Sequence, residues 1–356
     1  MGDSVTIKDI AKECGVSIAT VSRVINGSPK VLPETKEKIE AAIKKNNYMP
    51  NAIAKSLVSK RSTSIGVTVP DISNPYFSSL FCEIEALAHE KNYSVFLCNT
   101  MFCSNLFKGT TERREQDYFQ MLIEAKVAGA IVAGGQLDLL HPDKDYLDAL
   151  SYFARTVPLV ILSKPIPGIP AVFIDREENT GMVQALHFLA SLGHEKIAFL
   201  GGEDGVTITK NRLRTYQDTL QSLKLPLDPE LVSLTDYYVS DGYLAARRLI
   251  EKEIPFSAAM AINDSVAVGA LRAFADHGIR VPDDVSLVSC EEFQSASYYT
   301  PRLTTVDRHS DLFGQTVIRT LMSLIQGDKV TLPPPSVSDL MVRESCASRK
   351  KTYSLF

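Results

Sequence analysis

The residues from Ser17 to Asn26 carry side chains that could read the edges of DNA base pairs. Ile18 and Ala19 are small enough for apolar contact with a base, and Arg23 is long enough to reach O6 and N7 of a guanine in the major groove. The predicted DNA contacts of this N-terminal region are Thr6, Ser17, Ile18, Ala19, Thr20, Ser22, Arg23 and Asn26.

Short helices are predicted to position these side chains. Thr6 with Asp9 three residues later is a capping-box start, and Gly15 ends the first helix. After the glycine turn, Ser17 caps a second helix, and a third helix at 33–47 closes a small core. The second helix turns three apolar side chains inward: Val21, Val24 and Ile25. The pattern predicts a helix-turn-helix unit whose second helix enters the major groove by its N-terminal end.

Charge favours nucleic acid as the partner of this N-terminal helix-turn-helix unit, hereafter the head. Two short amphipathic helices joined by a glycine turn also occur in domains that bind no DNA, so the pattern alone leaves both interpretations open. Residues 1–63 hold 11 Lys plus Arg and 6 Asp plus Glu, whereas the remaining 293 residues hold 27 and 36. A basic head on an acidic body is typical of a protein in which only the head meets phosphate.

Along nearly its whole length the chain resembles the lactose/galactose repressor (LacI/GalR) family of bacterial transcription regulators. The N-terminal motifs that carry the resemblance are TIKDIAKECGVSIATVSRVING and NNYMPNAIAKSL. The resemblance implies that Ile18, Ala19 and Arg23 take base-reading positions and that PNAIAKSL is a hinge helix. Leu32 and Pro33 depart from the family, which usually has a capping Ser and a polar residue there. Pro33 partly compensates, because its missing N–H would lack a helical partner in any case.

The hinge, from Asn51 to Ser59, spans only about two turns, and an isolated helix of that length is marginal in water. We expect it to be disordered without DNA and, on DNA, to pack against the same segment of a second subunit. The resemblance places an intercalating leucine at Leu57, which would wedge into the minor groove and kink the duplex. A solvated linker with no fixed contact is the alternative. The predicted DNA contacts of the hinge are Asn51, Ala54, Lys55 and Leu57.

Length and composition predict a soluble globular protein of two to three domains, since the chain has 356 residues. No apolar run reaches the roughly 18 residues that span a bilayer, and the N-terminus lacks a signal-peptide pattern, so a cytoplasmic location is expected. The six cysteines include no close Cys-x-x-Cys pair and are therefore predicted to be reduced thiols. Neither a cofactor nor a metal is expected.

Beyond Ser64 the sequence alternates apolar strands with amphipathic helices, first at SIGVTVP, SVFLCN, GAIVAG and PLVILS, then at AVFID, KIAFLGG, LVSLTD, SAAMAIND and VSLVSCEE. Two such series predict an α/β body of two doubly wound parallel-sheet subdomains behind the all-α head. The resemblance implies the fold of periplasmic sugar-binding proteins, with chain crossings near Ser163, Glu292 and Gln326 and a ligand cleft between the lobes. The predicted domains are a head at 1–50, a hinge at 51–63, a body at 64–345 and a tail at 346–356.

The first candidate ligand loop is PDISNPYF. Asp71 and Ser73 offer a carboxylate and a hydroxyl, while Tyr76 and Phe77 offer aromatic faces. A sugar needs this mixture, because its hydroxyl groups pair with donors and acceptors while its C–H face stacks on rings. The segment also resembles the family's first ligand loop. Alternatively, Asp71 caps the next helix.

Later loops supply further effector candidates through the resemblance. Arg212 matches the family arginine that makes a forked pair with effector hydroxyl or carboxylate groups. Because Thr215 stands where the family usually has glycine, binding by Arg214 stays open. Tyr237 matches a stacking aromatic. Asn263 matches a residue facing the cleft, with the next residue, Asp264, expected to cap the following helix.

Two positions point to an unusual effector. Glu291 stands where the family has an aspartate one methylene shorter. Arg176 follows Asp175 where the family commonly has Asp-Asn. Two arginines at one cleft, Arg176 and Arg212, favour an acidic or phosphorylated sugar, although Arg176 could instead pair with neighbouring surface carboxylates.

An enzyme is not expected. The glycines at 201, 202 and 205 lack phosphate-loop spacing, no G-x-S-x-G motif occurs, and the six histidines show no metal-ligand spacing. We expect a homodimeric repressor that binds a near-palindromic operator and responds allosterically to a sugar or sugar-phosphate effector. The rival prediction is control by a protein partner on the outer face of the first lobe. No heptads that would build a tetramer follow Val342.

Overall fold

The computed structural model describes residues 5–25, 30–46, 48, 62–101, 114–175, 179–293, 295–334 and 337–349. The predicted contacts Asn26, Asn51, Ala54, Lys55, Leu57 and Arg176 lie outside these residues. The chain divides into two compact units, Met1–Thr63 and Ser64–Phe356.

Three helices build the head: α1 (Ile7–Cys14), α2 (Ile18–Ile25) and α3 (Pro33–Lys45). Asp9 Oδ2 starts α1 by accepting hydrogen bonds from the backbone N–H of Thr6 at 2.9 Å and from its hydroxyl at 2.6 Å. Gly15 ends α1 in the left-handed region, with φ 67°. The head core consists of the buried residues Ile10, Ala11, Cys14, Val21, Val24, Ile39 and Ala42.

The body consists of two α/β lobes. The first lobe contains β1 (Ser64–Val69), α4 (Pro75–Glu90), β2 (Ser94–Asn99), α5 (Glu115–Glu124), β3 (Gly129–Ala133), α6 (Lys144–Thr156), β4 (Leu159–Leu162) and β5 (Val172–Phe173). The second contains α7 (Thr180–Ser191), β6 (Ile197–Leu200), α8 (Thr207–Ser222), β7 (Val232–Ser233), α9 (Val239–Glu251), β8 (Ala258–Ala261), α10 (Asp264–Asp276), β9 (Ser286–Ser289), β10 (Thr304–Asp307) and, after the last helix, β11 (Asp339–Met341). That last helix, α11 (Ser310–Gln326), packs in the core of the first lobe.

Both sheets have doubly wound topology. The first has the strand order β2-β1-β3-β4-β5 and the second β11-β10-β9-β8-β6-β7. Neighbouring strands pair in parallel, except that β11 runs antiparallel to β10. Strands β3, β4, β6, β8 and β9 are buried along their whole length, as parallel strands covered by helices on both faces require. The predicted fold class is confirmed.

Two predicted chain crossings are wrong. The AVFID segment forms β5, which pairs with β4 in the first sheet, so the first crossing follows Phe173 rather than Ser163. Similarly, β10 pairs with β9, so the second crossing follows Asp307 rather than Glu292. The third passage runs from Gln326, the end of α11, to Asp339 at the start of β11. The family resemblance had implied both boundaries, which lie at the ends of apolar runs, whereas strand pairing continues past both.

The predicted tail begins too early. The backbone N–H of Ala347 donates to Ser286 Oγ at 3.0 Å, and that of Arg349 donates to the Leu192 carbonyl at 2.8 Å. These contacts join the chain to the second lobe as far as Arg349. Among the described residues no helix has both the length and the apolar character needed to cross a membrane.

Candidate functional site

Helix α2 of the head presents the predicted base-reading side chains on its outer face. Ile18 is 45% exposed, and Ala19 and Arg23 are exposed as well, whereas Val21 and Val24 are buried. Exposure of a branched apolar side chain removes it from the core and leaves it available to a partner.

Hydroxyl groups fix the beginning of α2. Ser17 Oγ accepts a hydrogen bond from the backbone N–H of Thr20 at 3.1 Å and lies 2.9 Å from the Thr20 hydroxyl. Ser22 is half-buried, and Thr6 is exposed but donates to Asp9. Ser17, Thr20 and Thr6 therefore have structural hydrogen bonds that DNA contacts would supplement or replace.

The body contains a cleft of about 790 Å³, its open mouth included, between the two lobes. Six of its polar residues lie within five residues after the end of a parallel strand: Asp71, Asp138, Glu203, Asn263, Glu291 and Arg308. Ligands of doubly wound folds bind at this end of the strands. Of the predicted effector residues, the cleft is lined by Asp71, Tyr76, Phe77, Arg212, Tyr237, Asn263 and Glu291. Ser73 is described but is not part of the lining.

In the first ligand loop, Asp71 joins the lobes instead of capping a helix. Asn74 caps α4, because its Oδ1 accepts from the Tyr76 backbone N–H at 3.0 Å. Asp71 Oδ2 accepts from the Tyr238 hydroxyl of the second lobe at 2.6 Å. The Tyr76 and Phe77 rings meet edge to face with centroids 5.0 Å apart. The loop thus supplies a ring pair and an inter-lobe hydrogen bond.

Arg212 and Glu291 form the centre of a buried ion-pair network. Arg212 is only 4% exposed and contacts Glu291 Oε2 at 3.1 Å. It also donates to the Ile262 carbonyl. The other oxygen, Glu291 Oε1, lies 3.2 Å from a guanidinium nitrogen of Arg308. One carboxylate therefore receives one guanidinium on each oxygen, and this satisfies the hydrogen-bonding capacity that a buried ion requires.

The surrounding helix does not support Arg214 as the binding arginine. Arg214 lies on the exposed side of α8 and pairs with Asp218 at 3.5 Å. Helix α8 continues through Thr215, whose hydroxyl donates to the Asn211 carbonyl at 3.0 Å. The neighbouring Tyr216 is buried in the core. Of the two arginines, only Arg212 lines the cleft.

Asn263 lines the cleft, as predicted, and also provides the helix cap that was predicted for Asp264. Asn263 Oδ1 caps α10 by accepting from the Val266 backbone N–H at 2.8 Å, and its Nδ2 donates to the Tyr237 carbonyl at 3.0 Å. Asp264 was expected to cap the helix, and this prediction is wrong. Its carboxylate accepts from the Phe293 backbone N–H at 2.8 Å and from the Thr305 hydroxyl at 2.9 Å. Asp264 thereby positions the loop that carries Glu291.

Burial raises the pKa of two groups, Tyr237 in the cleft lining and Asp264, which follows the lining residue Asn263. Desolvation raises the pKa of Asp264 to about 6. Desolvation also raises the pKa of Tyr237, whose hydroxyl lies 2.6 Å from the Thr209 hydroxyl. The phenol is neutral at pH 7, as an ordinary tyrosine also is, and takes part in hydrogen bonding with Thr209.

Several lining residues escaped prediction, namely Asp138, Glu203, Tyr238, Phe293 and Arg308. All but Arg308 follow a strand that the sequence had identified, so position after a strand was the available signal for those four; Arg308 follows β10, which the sequence analysis did not identify. The lobes also meet directly beside the cleft, where the Leu140 N–H donates to the Gly205 carbonyl at 2.9 Å and Leu139 forms a bridge with Val206. Within the described ranges, no three His, Cys, Asp or Glu residues are grouped to hold a metal ion.

Comparisons with known proteins match both units. The model of "Bacterial regulatory proteins, lacI family" matches residues 6–51, and that of "Periplasmic binding protein-like domain" matches residues 186–346. The chain is 31% identical over 351 residues to the HTH-type transcriptional repressor PurR of Haemophilus influenzae (strain PittEE), covering 96% of this chain and 99% of that protein. It is 32% identical over 346 residues to the HTH-type transcriptional regulator DegA of Bacillus subtilis (strain 168), covering 96% and 97%.

Solved structures of transcription regulators also superpose on nearly the whole chain. The lac repressor dimer bound to operator and the anti-inducer ONPF superposes with a TM-score of 0.82 at 28% identity, covering 97% of this chain and all of that one. The complex of transcriptional regulator CelR with cellobiose superposes with a TM-score of 0.65 at 28% identity, covering 96% and 99%.

Proposed function

The chain belongs to the LacI family of bacterial regulatory proteins, and we propose that it represses transcription as a homodimer whose operator affinity changes when a sugar-like effector fills the cleft. The coarser function, a DNA-binding transcriptional repressor with an effector-binding domain, follows from its relatives. The identity of the effector class, the near-palindromic operator and the absence of catalysis belong to the proposal.

The observation that carries the proposal is the composition of the cleft. Hydrogen-bonding groups and aromatic rings reach it from both lobes, with Tyr76 and Phe77 on the first and Tyr237 and Asn263 on the second. Such a mixture suits a molecule that has hydroxyl groups along its edge and an apolar C–H face. The similar CelR was solved with cellobiose.

Effector binding can be coupled to DNA through lobe closure. Tyr238 and Asp71 already bond across the cleft, and Arg308 lies on the segment that passes between the lobes. A ligand that contacts both lobes would favour one lobe arrangement, and a coupling of about 1–3 kcal/mol changes DNA affinity five- to 150-fold.

Dimerisation is supported by an apolar edge. Strand β2 lies at one edge of the first sheet, and its consecutive residues Phe96 and Leu97 are 46% and 37% exposed. Exposed apolar side chains on an edge strand favour association with another surface. Two heads are also needed because one helix-turn-helix unit reads only half a site.

The test is operator affinity of the purified chain at fixed salt, with and without a panel of sugars and sugar phosphates. Release or tightening by one compound supports the proposal. Arg212→Ala should abolish that response while leaving operator affinity intact, whereas Arg214→Ala, on the exposed side of the same helix, should keep it. Tight operator binding that no compound changes would favour control by a protein partner, and turnover of a bound compound would favour an enzyme.

A further inference from the structure

We propose that the effector is an uncharged sugar and that the cleft discriminates against its phosphate ester. This inference rests on the proposed function and narrows it to one class of ligand. Two arginines at a cleft would by themselves favour a phosphorylated sugar. The charges around these arginines and the contacts that they make favour an uncharged sugar instead.

The described lining of the cleft contains more carboxylates than guanidinium groups. The carboxylates are Asp71, Asp138, Glu203 and Glu291, and the guanidinium groups are Arg212 and Arg308. The formal charge of this lining is therefore negative by two. Even if Arg176, which lies outside the described residues, were added, the carboxylates would remain in excess.

Both guanidinium groups already bind Glu291. Arg212 contacts one carboxylate oxygen at 3.1 Å and Arg308 the other at 3.2 Å, while Arg212 also donates to a buried carbonyl. A phosphate group that recruited either arginine would have to compete with a carboxylate in a water-poor site, where breaking a buried ion pair is costly. A neutral hydroxyl group can instead form a hydrogen bond with these residues while both ion pairs stay in place.

Two of the carboxylates stand on opposite lobes near the same contact. Asp138 precedes Leu139 and Leu140, and Glu203 precedes Gly205 and Val206, the residues that join the lobes beside the cleft. A ligand enclosed there would lie within reach of a negative charge from each lobe. Carboxylate oxygens only accept hydrogen bonds, so they suit sugar hydroxyl groups as donors.

A phosphate ester of the same sugar should bind poorly in this negatively charged cleft. It carries about −1.5 to −2 charges at neutral pH and adds acceptor oxygens without donors. Like charges in a partly desolvated site repel much more strongly than in water. We expect the ester to bind at least about tenfold more weakly than its parent sugar.

The experiment measures calorimetric binding of matched pairs to the full-length protein: ribose and ribose 5-phosphate, glucose and glucose 6-phosphate, cellobiose and its 6-phosphate. At least one neutral sugar should bind, and tighter than its ester. Combining Asp138→Asn with Glu203→Gln should narrow the difference, because both residues are only half-buried and their removal brings the lining to neutrality. Asp204→Asn, an exposed neighbour outside the lining, should leave the ratio unchanged.

Different outcomes would contradict the sugar-like effector and the selectivity against its phosphate ester. An ester that binds more tightly than its parent sugar overturns the charge selectivity but leaves a sugar effector in place. Failure of every compound to bind, with operator binding intact, overturns the proposed effector and this inference together. An unchanged ratio in the double variant would mean that these carboxylates do not set the selectivity.

Discussion

Glu291 illustrates how one side chain can decide the character of a site. It stands where the family resemblance gives a shorter aspartate, and each of its oxygens reaches a different arginine, Arg212 and Arg308. Glu291 therefore neutralises only one of the two guanidinium charges, and the three-residue network keeps a formal charge of plus one. The ligand chemistry depends on what surrounds that network.

At the head, Arg23 is the side chain with the longest reach on the exposed face of α2. Arg23→Ala should cost specific operator binding about 1–3 kcal/mol, the usual value of a bidentate contact with guanine. Non-specific binding should fall much less, because we expect other basic residues of the head to contact phosphate as well. Fluorescence anisotropy at constant salt, with operator and with scrambled DNA, measures both.

Lys12→Ala on the exposed side of α1 is the matched control, since it removes one positive charge without touching α2. Equal losses on operator and scrambled DNA in the Arg23 variant would show that Arg23 contacts phosphate only.

Glu115 predicts a pH dependence of stability. Its oxygens accept from the Thr100 hydroxyl at 3.1 Å and the Gln136 N–H at 2.9 Å, and desolvation raises its pKa to about 7. Between about pH 4.5 and pH 7 the folded chain keeps a proton that the unfolded chain releases, so rising pH lowers the free energy of unfolding. The loss should be on the order of 2–3 kcal/mol.

Glu115→Gln should flatten this pH dependence, because an amide can accept from Gln136 and donate to Thr100 without titrating. Urea unfolding of wild type and variant from pH 4.5 to pH 8 measures the difference. Glu124→Gln, exposed at the end of the same helix, should retain the wild-type slope. Parallel curves for wild type and Glu115→Gln would contradict the assignment.

At the scale of elements, the turn between α1 and α2 depends on one backbone conformation. Gly15 has φ 67°, and no atom lies within 4 Å of the place where a Cβ would stand. Gly15→Ala should therefore destabilise the head by about 1 kcal/mol through conformational strain alone. Hydrogen exchange of α1 and α2 amides in the full-length protein reports this change.

Asparagine tolerates the left-handed region better than alanine, so Gly15→Asn should recover part of the lost protection. Equal destabilisation by both residues would point to a steric cause and contradict the conformational explanation.

At the scale of the whole molecule, the hydrogen bond between Tyr238 and Asp71 joins the two lobes, and we expect it to stabilise their closed arrangement. Tyr238→Phe leaves a buried carboxylate with one bond fewer, which should favour the open arrangement and weaken effector binding several-fold. Small-angle scattering and calorimetry of the body measure opening and affinity. Tyr298→Phe, at a position 85% exposed, is the control. Unchanged affinity in the Tyr238 variant would show that closure does not depend on this bond.

The edge of the first sheet gives the corresponding prediction for assembly. Phe96→Glu places a charge in the exposed apolar pair of β2 and should shift the dimer toward monomer, with loss of tight operator binding. Sedimentation velocity measures the shift, and Tyr152→Glu on exposed α6 should leave the dimer intact. A dimer that persists would place the interface elsewhere.

The sequence by itself determined the local elements and their order. The spacing of Ile10, Val21 and Val24 fixes which helix faces are buried, and the capping pair Thr6 and Asp9 fixes where α1 begins. Apolar runs identified the strands from β1 to β9 but not β10 and β11, and the residues after the identified strands supplied much of the cleft. These features depend on neighbours a few residues apart, so a periodic pattern is enough to predict them.

Only the tertiary structure decided which of those residues meet. Arg212 and Glu291 are 79 residues apart, and Asp71 and Tyr238 are 167 residues apart. The two-residue strand β5 is too short for its pattern to show which sheet it joins, so the sequence pattern could not correct the first crossing that the resemblance implied. Such contacts depend on strand order and lobe packing, which set distances between groups that no local spacing relates. The charge of the cleft therefore emerges from the assembled fold.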